Sequence, residues 1–219
     1  EVGMPVGYFY GYKSAGIFQN QKQIDEYAGP FLNGRDKTHP GDVIWVDNDH
    51  NGVIDSKDRT MIGNPHPKFR MGFSFNLQWK AIDLSVTTYA ALGHQIMKCY
   101  RDFVSSPLNN FTSDIFARWH GEGTSNTLPR ISSSDNSNWN RISDIYVENA
   151  DYLKIKNITV GYDFKKTFSK LPFEQLRLYA TVQNPYTFTK YSGMDPEIGY
   201  GGDDGGSYIQ GIDLGYYPS

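Results

Sequence analysis

Between Pro67 and Leu92, apolar and polar positions alternate with a period of two. From Met71 onward the apolar residues Phe73, Phe75, Leu77 and Trp79 fall on every second position, with Gly72, Ser74, Asn76 and Gln78 between them. After Lys80-Ala81 the alternation resumes as Ile82, Leu84, Val86, Thr88, Ala90 and Leu92, opposed by Asp83, Ser85, Thr87, Tyr89 and Ala91. This period belongs to strands with one apolar and one polar face, so the stretch predicts strands at 68–79 and 82–93 joined by a very short turn. A further strand is predicted at 151–164, with Ile158, Val160, Tyr162 and Phe164 on one side. Leu153 and Ile155 have the opposite parity, which predicts a bulge near Lys156-Asn157. Leu176, Leu178, Ala180 and Val182 predict a strand at 175–187, and Val6, Tyr8, Tyr10 and Tyr12 predict one at 2–12. The connections 13–66, 94–150 and 188–219 read as long loops, with short helical turns around 21–27 and 114–119, the latter capped by Ser113.

Two settings produce such strands. A water-soluble sheet packs its apolar face on a core, whereas a transmembrane barrel turns that face to lipid and the polar face to a lumen. A tilted barrel strand needs roughly 9–11 residues to span, and the segments of 71–92 are that long. The connections also alternate: long at 13–66, two residues at 80–81, long at 93–150, short at 165–174 and long from 188. Outer-membrane barrels pair short periplasmic turns with long extracellular loops, and this order fits them without contradiction. On this pattern the expected fold is all-β, antiparallel strands of a transmembrane β-barrel. A lectin-like sandwich with decorated loops stays open as the alternative, a soluble calcium-stabilised carbohydrate-binding β-domain.

Composition narrows the choices. Tyr 16, Phe 13, Trp 4 and Gly 22 in 219 residues favour β structure with many turns. Mean hydropathy is −0.55, and no run approaches the ~20 apolar residues of a membrane helix, which leaves barrels untouched. A net charge of −3 and a pI near 5.9 argue against a nucleic-acid partner. Cys99 stands alone, so a disulfide framework is excluded. The five histidines lack paired metal spacing, and nothing nominates a pair of catalytic carboxylates for a glycosidase. No enzyme activity and no catalytic residue are expected. Trp119 and Trp139 fall in expected loops, where they either pack the loops together or offer a ring face to a sugar. Asp203-Asp204 lies in a Gly-rich turn. The chain starts Glu1-Val2-Gly3, with neither an initiator Met nor a signal peptide, and so reads as a fragment.

The sharpest short motif is Asp47-Asn48-Asp49-His50-Asn51-Gly52-Val53-Ile54-Asp55-Ser56-Lys57-Asp58. Counting Asp47 as the first position puts oxygen side chains at the calcium-loop positions, with glycine at the sixth. A hard cation takes about six to eight oxygens. Asp47, Asp49, Asn51, the Val53 carbonyl, Asp55 and Asp58 are the expected ligands. The final position carries the shorter aspartate where glutamate is usual. Ca2+ is expected in a structural role, with Mg2+ as the alternative.

Several segments in order resemble one family. These are Val6–Gln19, Pro40–Gly63, Pro65-x-Pro67 with Gly72-Phe73, Arg118-Trp119-x-Gly121-Glu122-Gly123, Pro129-Arg130, Asp151–Tyr162 and Val182–Glu197. On these residues the chain is similar to the C-terminal barrel portion of the SusC/RagA-type TonB-dependent outer-membrane transporters. The resemblance implies a plugged barrel of about 22 strands in the outer membrane of a Gram-negative bacterium. It also implies import of oligosaccharides or peptides, driven by the TonB complex through an N-terminal part lacking here, with a SusD-like surface lipoprotein as partner. The family ends in an aromatic-terminated strand, whereas this chain stops at Tyr217-Pro218-Ser219.

Overall fold

A computed structural model describes residues 3–99, 111–132, 137–198 and 210–215. Asp203-Asp204 and Tyr217–Ser219 lie outside the described residues. The strands are β1 (Phe9–Gly11), β2 (Ser14–Ile17), β3 (Val43–Trp45), β4 (Thr60–Gly63), β5 (Phe69–Trp79), β6 (Ile82–Leu92), β7 (Gln95–Lys98), β8 (Val147–Asn149), β9 (Tyr152–Asp163), β10 (Arg177–Thr189) and β11 (Ile212–Asp213). Two short helices join them, α1 (Gln21–Glu26) and α2 (Phe164–Thr167). Among the described residues no helix is long and apolar enough to cross a membrane. The chain divides into two compact units: residues 66–95 with 149–196, and the remainder.

The first unit is a four-stranded antiparallel sheet in the order β10-β9-β6-β5. β5 and β6 pair without a slip from Phe69↔Leu92 to Trp79↔Ile82, so a two-residue turn, Lys80-Ala81, closes them. The expected bulge is present. Thr87 faces Asn157 and Thr88 faces Ile155, leaving Lys156 as the extra residue of β9. β10 answers with its own irregularity between Gln183 and Tyr186, where Asn184 takes a φ of +48°. An extra residue in each strand at one level keeps the faces in phase beyond it.

The second unit is built of short pieces around small cores. Tyr12, Val43, Trp45 and Ile54 form one cluster, and Leu128, Trp139 and Ile145 another. β1 pairs with β4, and β2 with β3. Asp42, nearly buried, accepts from the Arg130 Nε at 2.6 Å and the Asn138 Nδ2 at 2.8 Å, tying three distant segments together. α1 starts where Asn20 accepts from the Gln23 N–H and stops at the extended Tyr27.

The expectation of one strand over 2–12 is corrected. Only Phe9–Gly11 is strand there, and it pairs with β4, outside the four-stranded sheet. Phe9 turns inward, 5% exposed, while Tyr10 stays outside. The stretch 13–66, read as loop, also holds β2, β3 and β4, each too short to show a period. The turn expected at 114–119 is a 3-10 turn over Ser113–Ala117, preceded by Thr112 without a side-chain cap.

Candidate functional site

The four-stranded sheet sorts its residues by face across every strand. Phe75, Val86, Ile158 and Val182 stand side by side, as do Leu77, Leu84, Val160 and Ala180, and Trp79, Ile82, Tyr162 and Leu178. On the other face the rows read Ser74, Thr87, Asn157, Gln183 and Asn76, Ser85, Thr159, Thr181. Thr159 and Thr181 share a hydrogen bond at 2.9 Å on that face. Among the described residues no layer packs on the apolar rows: Phe73 is 66% exposed, Leu178 68% and Val182 55%. In a water-soluble protein so wide an uncovered apolar face would drive aggregation. β5 and β10 are long edge strands that pair with no further strand among the described residues, and in a lipid setting their outer backbone groups need neighbours.

The acidic loop 47–58 lies between β3 and β4. Ligand atoms of Asp47, Asp49 and Asp58 all lie within 4.8 Å of one another. Gly52 turns the chain with a φ of +82° and His50 with +58°. Asp47 accepts from the Gly52 N–H at 2.8 Å and the Asn51 N–H at 3.2 Å. Desolvation pushes its carboxyl up, but those donors and the His50 N–H outweigh that and hold it below the usual carboxylate range. Asp58 is fully buried, with its oxygens accepting from the N–H groups of Asn48 and Asp55 at 2.8 and 2.7 Å. The Asn51 side chain accepts from Val53, and Asp55 caps the turn at Lys57. The loop thus draws three carboxylates together and spends the Asp55 side chain on its own backbone.

Of the two tryptophans singled out by sequence, Trp139 is buried, donating to the Arg130 carbonyl at 3.0 Å. Trp119 packs over Gly41, leaving no room there for a Cβ against its ring. Both fasten loops to one another. Sequence reasoning passed over Lys98, a buried lysine paired with Asp114 at 2.8 Å and Glu148 at 3.3 Å. A single lysine between apolar neighbours carries no signal that its partners lie 16 and 50 residues away.

No family model matches the chain. It is 33% identical, over 99% of its length, to the TonB-dependent receptor P3 of Formosa agariphila. It is 32% identical, over 95% of its length, to the TonB-dependent receptor SusC of Bacteroides thetaiotaomicron. The chain belongs to the SusC/RagA-type TonB-dependent receptors. It covers 21% of the first relative and 18% of the second, so this SusC-type segment spans about a fifth of the curated relatives it matches. Its fold is similar to the RagAB peptide importer in the open-open state, with a TM-score of 0.64 at 21% identity, covering 97% of this chain and 21% of that one. The closed-closed state gives 0.60. The four-stranded sheet is accordingly antiparallel wall of an all-β barrel, and the place of such receptors is the bacterial outer membrane. These relatives are receptors and importers rather than enzymes.

Proposed function

We propose that this SusC-type segment forms part of the wall of an outer-membrane barrel that imports oligosaccharides or peptides. Import is driven by the TonB complex and takes place beneath a SusD-like surface lipoprotein. The observation that carries the reading is the pair of unlike faces: continuous uncovered apolar rows on one side of the sheet, and Ser, Thr, Asn and Gln rows on the other. Hydrocarbon on one side and a watery conduit on the other satisfy both. Hydroxyls and amides along the inner face suit the hydroxyl and amide groups of either substrate class. The names of the relatives, SusC among the receptors and RagAB as a peptide importer, support the assignment. The test is uptake of labelled oligosaccharides and peptides by cells carrying the full-length receptor as their sole importer. Uptake that disappears when TonB is deleted supports the reading, and TonB-independent uptake, or none of either class, overturns it.

The loop 47–58 is proposed to take one Ca2+, with Asp47, Asp49, Asn51, the Val53 carbonyl, Asp55 and Asp58 as candidate ligands. Three convergent carboxylates in a tight turn repel one another unless a cation compensates them. The ion's role is to stiffen the loop.

A further inference from the structure

We propose that the short-turn end of the wall carries a binding site for the phosphate of an anionic phospholipid, built from Trp79 and Lys80. The inference rests on the reading of the apolar face as lipid-facing. Trp79 ends β5 on that face, 61% exposed, in the row with Ile82, Tyr162 and Leu178. An indole at the margin of a lipid-facing band sits at headgroup depth, where its N–H can donate to a polar partner. The Lys80 Nζ lies 4.9 Å from the centre of the Trp79 ring. Attraction to the ring face holds the ammonium beside the indole.

Among the described residues no carboxylate pairs with Lys80, and two acids beside the turn hold other donors. Asp83 is bound by Arg177. Asp163, whose N–H reaches the Ala81 carbonyl at 2.8 Å, accepts from the Lys165 N–H at 3.0 Å. A cation beside an indole donor, at the edge of hydrocarbon, complements the phosphodiester of a lipid headgroup.

The backbone adds an independent observation. Lys80 has a φ of +53°, a conformation that glycine and asparagine adopt far more easily. Turn geometry alone therefore selects against lysine at this position. A residue that breaks a local rule is expected where it serves something other than the fold.

The test uses the full-length receptor in nanodiscs with photoreactive phosphatidylglycerol or phosphatidylcholine, reading crosslinks on the peptide spanning residues 69–92. The wild type is expected to favour phosphatidylglycerol there by about fivefold, the effect of one lysine near an anionic surface. Lys80→Asn is expected to abolish that preference while melting at the same or a higher temperature. Lys166→Asn, altering a lysine that lines the polar-face cavity with Asp83 and Arg177, is expected to leave it intact. Equal yields for both lipids in the wild type, an unchanged preference in Lys80→Asn, or a loss as large in Lys166→Asn would each overturn the site. Displacement of the lipid by excess inorganic phosphate would overturn the lipid as its ligand. Absence of any crosslink from 69–92 with either lipid would instead overturn the lipid-facing reading beneath it.

Discussion

Arg177 and Asp83 meet across a strand to which neither belongs. Asp83 lies on β6 and Arg177 on β10, yet the guanidinium reaches the carboxylate with Nε at 2.9 Å and Nη2 at 2.5 Å. β9 runs between them, and at the crossing point stands Gly161, partner of both Asp83 and Tyr179. A Cβ there would lie 2.5 Å from the Arg177 Nη2 and 2.5 Å from the Asp83 Oδ1. The missing side chain is what lets the bridge close over the polar face.

Gly161→Val is therefore expected to part the two side chains. A double-mutant cycle on the thermal stability of the full-length receptor, with Asp83→Asn and Arg177→Gln, should show coupling in the Gly161 background and none in the valine background. Coupling of equal size in both would show that the bridge does not need the glycine.

Asp58 and Asp49 are expected to separate loop folding from ion binding. Asp58→Ala removes the acceptor of the part-buried Asn48 and Asp55 N–H groups, at a cost of about 0.5–1.5 kcal/mol for each hydrogen bond. Hydrogen exchange across 47–58 should quicken even without calcium. Asp49→Asn, at an exposed carboxylate, should weaken calcium binding measured by calorimetry and leave that exchange unchanged without the ion. Equal calcium affinity in wild type and Asp49→Asn would remove the loop as a calcium site.

Asp144 supplies a pH signature. Burial raises its carboxyl above the ordinary value, partly opposed by the Ser14 N–H that it accepts at 3.0 and 3.1 Å. A raised folded-state value means that the protonated form is favoured by folding. The stabilising contribution is complete below the unfolded value, near 3.8, and is lost as pH rises through the folded one. Asp144→Asn, which carries no charge at any pH, should gain melting temperature relative to the wild type between about pH 3.5 and pH 7. A difference that stays constant over that range contradicts the burial account.

The long wall strands were legible because period-two patterning accumulates over eleven or more residues in β5, β6, β9 and β10. Even the extra residue Lys156 could be read, since a slip of parity flips every later side chain. Strands of three or four residues such as β1, β3 and β4 leave no period to detect, and Tyr12 is buried through contacts with Trp45 and Ile54 far along the chain. The convergence of Asp47, Asp49 and Asp58 was legible because the turn that makes it is local to Gly52 and its neighbours. The bridge over Gly161 was not, because Asp83 and Arg177 are 94 residues apart and nothing in either neighbourhood names the other.

The central claim is that the apolar rows face hydrocarbon and the polar rows face water. Nitroxide labels placed singly at 74, 75, 159, 160, 181 and 182 in the full-length receptor in bilayers read this directly, by collision with oxygen and with a water-soluble nickel chelate. Labels replacing Phe75, Val160 and Val182 should be relaxed chiefly by oxygen, and those replacing Ser74, Thr159 and Thr181 chiefly by nickel, the two patterns running out of phase along each strand. Labels at 75, 160 and 182 that neither reagent reaches would place these side chains in a packed protein core and contradict the barrel-wall account.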